Sequence, residues 1–198
     1  MKKILISTGG SGGHVIPSLI IFDHLKNNFE TTLVTDKRGI SFIDKNLYSY
    51  KLIDVPKINN LIFTFPKFLI LFIFSLIKSF IFLKKNRFDI LVSTGGYMSL
   101  PFCIASKLLK IKIVLFEPNK VLGRSNKIIL KYAKKIICYY ETIINFPKIY
   151  QNKILIINSL MRKEAYDLEK KTNKEKFDTI KILVLGGSQG ALFFDQMI

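Results

Sequence analysis

Short apolar runs alternate with longer stretches of helical character along this chain. Most of the runs are continuously apolar, which is typical of parallel strands that helices cover on both faces. The predicted strands cover residues 3–7, 31–35, 51–55, 90–93, 112–116, 135–138, 153–157 and 181–185. Helices are predicted to begin near Pro17, Gly39, Pro66, Leu100, Gly123 and Gly190. The alternation of strand and helix predicts an α/β fold built on a Rossmann-like parallel sheet.

The stretch 159–179 differs from the rest, because it is rich in Lys and Glu and poor in bulky apolar residues. It is interpreted as a linker between a first domain, residues 1–158, and a segment 180–198. That segment carries one predicted strand, a glycine turn and the start of a helix, which are too short to bury a core of their own. The sequence therefore predicts one full domain and only the start of a second Rossmann-like domain.

The charge balance is strongly basic, with 31 Lys and Arg against 14 Asp and Glu in 198 residues and a formal net charge of +17. An apolar content of 49% excludes intrinsic disorder. Almost all the cations are lysines, and biased codon usage is one explanation for them. Nucleic-acid binders favour Arg, whereas Lys beside Phe and Ile suits an anionic membrane surface, so no nucleic-acid partner is expected. Cys103 and Cys138 form no metal-binding spacing and are typical of a reducing cytosol.

Three predicted strands run into glycine-rich turns, at residues 7–14, 93–101 and 185–191. Glycines allow the backbone to approach a ligand, and a helix N-terminus that follows favours phosphate. Tight packing of the turn is the alternative for any single loop. A dinucleotide GxGxxG pattern fails at Val15, although Asp36 resembles a ribose-binding acid, and no loop has the GK[ST] ending of a P-loop. No Asp-x-Asp pair suggests a metal ion, and no cofactor is expected.

The three loops, with His14 after the first and Tyr97 in the second, are similar to the signature loops of glycosyltransferase family 28, which has the two-domain GT-B fold. The segment from Phe116 to Asn119, followed by Gly123 and Asn126, resembles the family's His-Glu-Gln-Asn stretch with its downstream Gly and Asn. Phe116 stands in place of the His and Pro118 in place of the Gln. Residues 158–162 keep only the Arg of a Gly-Asn-Pro-Val-Arg pattern. The likeness extends along the whole chain.

The resemblance implies inverting transfer of N-acetylglucosamine from UDP-GlcNAc to undecaprenyl-diphosphate-MurNAc-pentapeptide (lipid I to lipid II) in peptidoglycan synthesis. His14 is the natural candidate for the base, with a loop-bonding histidine as the alternative, and Glu117 is a second candidate base or a loop organiser. His24 is expected to be structural. The implied substrate-binding residues are Ser11, Gly12, Gly13, Asn119, Arg162 and Ser188, together with Gly95, Gly96 and Tyr97. Tyr97 is expected to line the acceptor groove, with packing of the core or the loop as the alternative.

Residues 61–83 are nearly all Ile, Leu and Phe, and lysines interrupt and flank them. The uninterrupted apolar run 68–77 is shorter than the ~20 residues that span a bilayer. Phe68 and Phe72 with the snorkelling Lys67 and Lys78 predict a peripheral helix on the cytoplasmic face of the cell (inner) membrane. A core helix and a membrane span are the alternatives.

Two other functions remain open from the sequence. The chain would serve as the non-catalytic, membrane-anchoring half of a split GT-B glycosyltransferase if a separate chain carried the donor domain. It would be a related transferase if another lipid were the acceptor. Because the part of the family's donor domain that binds uridine and sugar lies beyond residue 198, activity of this chain alone is uncertain.

Overall fold

A parallel sheet of seven strands forms the centre of the fold. The computed structural model describes residues 1–55, 65–162 and 165. The strands are β1 (Lys3–Ser7), β2 (Glu30–Thr35), β3 (Tyr50–Leu52), β4 (Ile90–Ser93), β5 (Lys112–Glu117), β6 (Lys135–Cys138) and β7 (Ile154–Ile156). The α-helices are α1 (Gly12–Leu25), α2 (Phe65–Asn86), α3 (Ser99–Leu108) and α4 (Arg124–Ile129). The predicted α/β class is confirmed.

The strand order is β3-β2-β1-β4-β5-β6-β7, and the pairs are parallel. The order reverses between β1 and β4, where Ser7 is in register with Ser93. The carboxyl ends of these two strands therefore lie side by side at the switch point, which is where open α/β sheets bind ligands.

Apolar side chains cover both faces of the sheet. Along β1, Leu5 packs into one core cluster with α2 and α3, while Ile4 and Ile6 pack into another with α1. This two-residue alternation is what a strand buried on both faces requires. Burial on both faces explains why the strands could be recognised as continuous apolar runs.

The helix starts differ in two places from those that the sequence predicts. α1 begins at Gly12 rather than near Pro17, because Ser11 is the extended N-cap residue and Pro17 lies inside the helix. Gly39 begins a 3₁₀ helix, Gly39–Phe42, instead of an α-helix. The strand expected at 181–185 and the helix expected near Gly190 lie outside the described residues.

The chain groups into two compact units, Met1–Leu160 and Met161–Ile198. All the strands and helices described above belong to the first unit. Of the second unit, the structure describes only Met161, Arg162 and Ala165.

Both cysteines are buried free thiols. Burial raises the pKa of Cys103 to about 12. Burial, and then the negative charge of Glu117, raise the pKa of Cys138 to about 12. Because the thiolate is the reactive form, both side chains are expected to be inert in the folded protein.

We therefore expect neither thiol to react with Ellman's reagent at pH 8 while the chain is folded. At a pKa of about 12, only about one thiol in ten thousand is ionised at that pH. Two thiols should be titrated when the same sample is unfolded in guanidinium. Rapid labelling of the native protein would contradict the buried placement.

Candidate functional site

Two glycine loops meet at the carboxyl edge of the sheet. The first loop, residues 8–11, follows β1 and leads into α1, and the second loop, residues 94–98, follows β4 and leads into α3. Thr94 Oγ1 donates to Thr8 Oγ1 over 2.9 Å, and the Thr94 amide donates to the Ser7 carbonyl oxygen over 3.2 Å. The parallel pairing of β1 with β4 thus brings together two loops that are 86 residues apart in the sequence.

His14 lies in the first turn of α1, between the two loops. Its Nδ1 is 2.8 Å from the Thr94 carbonyl oxygen. Since a carbonyl oxygen can only accept, Nδ1 carries the proton, and Nε2 of the neutral ring has a free lone pair. A backbone carbonyl that fixes the tautomer and orientation in this way is typical of a histidine that acts through its other nitrogen.

The second loop surrounds the imidazole ring closely. Gly95 and Gly96 have φ angles of +92° and +77°, in the region that favours glycine. A Cβ on Gly95 would lie 3.2 Å from His14 Cε1, and one on Gly96 would lie 3.3 Å from His14 Cδ2. These two glycines therefore leave room for the ring, and their role includes shaping the position of His14.

Glu117 ends β5 as a carboxylate that is only 2% exposed. Its Oε1 accepts from the amide and the side chain of Asn119, over 3.2 and 3.0 Å. Its Oε2 accepts from the Gly123 amide over 2.8 Å and from Asn126 Nδ2 over 3.0 Å. These four hydrogen bonds fix the carboxylate between Asn119, Gly123 and Asn126, and they favour the loop organiser over the base.

Asn126 connects this network to the second glycine loop. Its buried side chain donates to the Phe116 carbonyl oxygen over 3.1 Å as well as to Glu117. A Cβ on Gly95 would lie 3.6 Å from Asn126 Nδ2. The resemblance matched Asn126 to the family without giving it a role, and its spacing of nine residues from Glu117 does not by itself indicate contact.

Asp36 stabilises the first glycine loop from inside the protein. This side chain is fully buried, and its Oδ1 accepts from the amides of Gly10 over 3.0 Å and Gly39 over 2.9 Å. Its Oδ2 accepts from Arg38 Nε over 2.6 Å and forms an ion pair with the same guanidinium. The suggested likeness to a ribose-binding acid is therefore not supported, since these internal donors occupy the carboxylate. Sequence reasoning missed the contribution of Arg38.

The other residues singled out in the sequence lie in different parts of the fold, and not all of them are near His14. Ser11, Gly12 and Gly13 lie at the start of α1, where Gly12 is beside the Phe42 ring and Gly13 is exposed. Tyr97 is half-buried and packs against the core, which favours the packing alternative. Arg162 is exposed in the second unit, and Ser188 lies outside the described residues. His24 is exposed in the last turn of α1.

No group of three His, Cys, Asp or Glu side chains that could hold a metal ion occurs in the described part of the chain. The site instead offers a histidine whose Nε2 has no partner within residues 1–55 and 65–162, a helix start rich in glycine, and two buried carboxylates that fix the surrounding loops. Such an arrangement can accept a proton and can hold an anionic group near backbone N–H donors.

A Rossmann-like parallel sheet with glycine loops at its carboxyl edge is the fold of the N-terminal half of a family 28 glycosyltransferase, and the chain belongs to glycosyltransferase family 28. The model of that family's N-terminal domain matches residues 4–138. The chain is similar to curated proteins named UDP-N-acetylglucosamine–N-acetylmuramyl-(pentapeptide) pyrophosphoryl-undecaprenol N-acetylglucosamine transferase. The one from Pelagibacter ubique (strain HTCC1062) is 49% identical over 197 residues, which are 100% of this chain and 55% of the relative.

A relative of the same name from Francisella tularensis (strain SCHU S4 / Schu 4) is 35% identical, and the match covers 100% of this chain and 55% of the relative. The chain thus spans about half the length of the curated relatives it matches. Among solved structures, Acinetobacter baumannii MurG has the same fold, with a TM-score of 0.73 and 22% identity, over 99% of this chain and 55% of MurG. The UDP complex of S. aureus MnaA is a more distant fold match, with a TM-score of 0.59 and 13% identity, over 79% of this chain and 43% of that one.

The buried placement of Asp36 predicts a measurable contribution to stability. In Asp36→Ala, the Gly10 and Gly39 amides and the Arg38 guanidinium lose their acceptor. We expect the free energy of unfolding in urea to fall by about 2–4 kcal/mol.

The matched control is Asp54→Ala, which also removes a carboxylate. Asp54 forms an exposed ion pair with Lys37, at 3.2 Å. Its loss should lower the free energy of unfolding by less than about 1 kcal/mol. Equal losses in the two variants would mean that Asp36 does not stabilise the loop as described.

Proposed function

We propose that this chain supplies the acceptor-binding and catalytic-base half of an inverting hexosyltransferase. It would transfer N-acetylglucosamine from UDP-GlcNAc to undecaprenyl-diphosphate-MurNAc-pentapeptide during peptidoglycan synthesis. The observation that carries the proposal is the hydrogen bond from His14 Nδ1 to the Thr94 carbonyl oxygen, after which Nε2 has no hydrogen-bond partner among the described residues at the ligand-binding edge of the sheet. The names of the curated relatives support the substrate class.

In the proposed reaction, His14 Nε2 accepts the proton of the acceptor's C4 hydroxyl group. The hydroxyl oxygen then forms a bond to the anomeric carbon of N-acetylglucosamine from the face opposite UDP, and the bond from that carbon to the diphosphate oxygen breaks. Inversion follows from this geometry. The Thr94 carbonyl oxygen, which accepts from Nδ1–H, stabilises the imidazolium that forms.

The start of α1 would bind phosphate of the substrates. Ser11, Gly12 and Gly13 place the first N–H groups of the helix at the edge beside His14, and the helix dipole favours an anion there. Asn119, Arg162 and Ser188 would contact the UDP-sugar, with the last two neutralising the diphosphate as it leaves. Glu117 holds Asn119 in position through two hydrogen bonds.

The domain organisation is part of the proposal. Residues 1–158 would form the acceptor and membrane domain, 159–179 the linker, and 180–198 the start of the UDP-sugar domain. A positioned His14 favours the transferase over a non-catalytic anchoring half, because an anchor has no use for an oriented histidine with a free nitrogen.

Membrane association at the cytoplasmic face would bring the domain to its lipid-linked acceptor. α2 is long and apolar enough to cross a membrane by length and composition alone, a test that core helices also pass. Its buried Ser75, Ser79 and Leu83 pack into the domain, while its outer face exposes an apolar stripe made of Ile70, Ile73, Phe74, Ile77 and Ile81. An exposed stripe with a packed opposite face favours a helix that lies on the bilayer.

The expected membrane residues separate into two groups. Lys67 and Lys78 are exposed, whereas Phe68 and Phe72 are half-buried and stack on each other at 5.8 Å. Phe72 also packs against the core. The apolar stripe, rather than these two rings, is therefore the surface that the proposal assigns to the bilayer.

His14→Ala should lower kcat in a catalytically active protein that contains this chain. Loss of a general base costs about 10²–10⁴-fold, while the Kd for UDP-GlcNAc should change little, because the base acts on the acceptor. His24→Ala is the matched control and should keep the parent rate. An unchanged kcat in His14→Ala would remove His14 as the base.

The double variant Ile73→Asp with Phe74→Asp should release the chain from vesicles that contain phosphatidylglycerol. Removing two apolar side chains from the bilayer costs about 1.5–3 kcal/mol each, so the partition coefficient should fall by more than a hundredfold. Leu108→Asp with Ile149→Asp changes two apolar residues outside α2 that are more exposed than Ile73 and Phe74, and it should have little effect. Equal sedimentation of all three proteins with vesicles would refute the membrane proposal.

A further inference from the structure

Tyr139 holds the segment through which the chain leaves the sheet after β7. The Ile157 amide donates to the Cys138 carbonyl oxygen over 2.9 Å. Further along, the Leu160 amide donates to the Tyr139 hydroxyl oxygen over 3.1 Å. Residues 158 and 159 are exposed, and within residues 1–55 and 65–162 no other hydrogen bond joins residues 158–160 to the sheet. The contact with Tyr139 therefore restrains the chain at Leu160, where the first unit ends.

The ring of Tyr139 is itself fixed by the end of β5. It meets the Phe116 ring edge to face, with the centroids 5.5 Å apart and the planes at 81°. Phe116 is fully buried and therefore offers Tyr139 a rigid support. The next residue, Glu117, accepts two hydrogen bonds from Asn119. The end of β5 thus supports the Asn119 loop directly and, through Tyr139, the segment that leads to Arg162.

The Leu160 amide can donate because the sequence departs here from the family's pattern. Residues 158–162 stand where that pattern has Gly-Asn-Pro-Val-Arg, so Leu160 takes the place of the proline. A proline has a fixed φ but no N–H, so it stiffens the backbone and could not donate to Tyr139. With leucine at this position, the hydrogen bond to Tyr139 restrains a backbone that the side chain leaves freer.

We propose that Tyr139 is a positioning residue for the reaction and acts through Arg162. Arg162 follows Leu160 by two residues and is exposed, so restraint of the Leu160 amide limits the space that the guanidinium can reach. The inference rests on the proposed function, in which Arg162 neutralises the donor's diphosphate as it leaves. A charged donor stabilises such a leaving group best when it is held in place before the reaction, because no reorganisation is then needed.

The first test follows hydrogen exchange of the Leu160 amide by NMR in the 198-residue chain. Tyr139→Phe keeps a ring against Phe116 and removes only the hydroxyl. We expect protection of the Leu160 amide to fall by at least about fivefold, while the Ile157 amide keeps its protection. Tyr140→Phe is the matched control, since this neighbouring ring is 44% exposed, and it should change neither amide. Equal exchange of Leu160 in the parent and in Tyr139→Phe would overturn the proposal.

The second test measures steady-state kinetics in a catalytically active protein that contains this chain. Tyr139→Phe should lower kcat/KM for the nucleoside diphosphate sugar by about fivefold to tenfold, as expected for one lost hydrogen bond. The KM for the acceptor should stay within about twofold, because Arg162 acts on the donor. Tyr140→Phe should keep the parent values. An unchanged kcat/KM for the donor, or an equal rise in the KM for both substrates, would overturn the positioning role.

A double-mutant cycle shows whether Tyr139 acts through Arg162. Arg162→Ala leaves no guanidinium to position, so adding Tyr139→Phe should lower kcat/KM for the donor by less than about twofold further. Losses that simply multiply would mean that the two residues act independently, and would overturn the proposal. The identity of the product tests the proposed function separately. Transfer of another sugar, or to another acceptor, would contradict that function but would leave this cycle valid, because the cycle concerns only the donor's diphosphate.

Discussion

The hydrogen bond between His14 Nδ1 and the Thr94 carbonyl oxygen depends on a long-range constraint, the parallel register of β1 with β4. Ser7 pairs with Ser93, and the next residue of each strand, Thr8 and Thr94, is joined to the other by a side-chain hydrogen bond. A shift of one residue would reverse the faces of the side chains in β4. It would also move the Thr94 carbonyl oxygen away from the imidazole ring. The core packing of both strands therefore fixes the orientation of a single functional side chain.

On either side of this pair of strands, a buried carboxylate accepts hydrogen bonds from loop amides and so fixes the loop in place. Asp36 follows β2 and accepts from two glycine amides, and Glu117 ends β5 and accepts from the Gly123 amide. In each case the backbone N–H of a glycine in the loop donates to a fixed carboxylate oxygen instead of to water. Satisfied networks of this kind rigidify a site, and half-satisfied ones destabilise it. The groups near His14 are thus held by residues that need not touch a substrate.

The sequence allowed the strands to be predicted well, because burial on both faces leaves continuous apolar runs that local composition reveals. The common position of His14 and the two described glycine loops could also be predicted, because the carboxyl ends of parallel strands all lie at one edge of the sheet. The inward orientation of Asp36 could not be predicted, because it depends on Gly10 and Gly39 approaching from different segments. The half-burial of Phe68 and Phe72 was missed for a similar reason. In a helix that is apolar on nearly every side, periodicity cannot show which face meets the core.

The length of α2 relates the membrane surface to the site. Its 22 residues extend for roughly 33 Å, whereas the four residues of β4, which follows it, extend for roughly 13 Å. Only three residues separate the end of α2 from β4, so the excess length lies at the N-terminal end of the helix. That end therefore projects beyond the carboxyl edge of the sheet, on the side where the glycine loops lie. If α2 lies on the bilayer as proposed, an apolar stripe that begins there would bring the glycine loops close to the membrane surface.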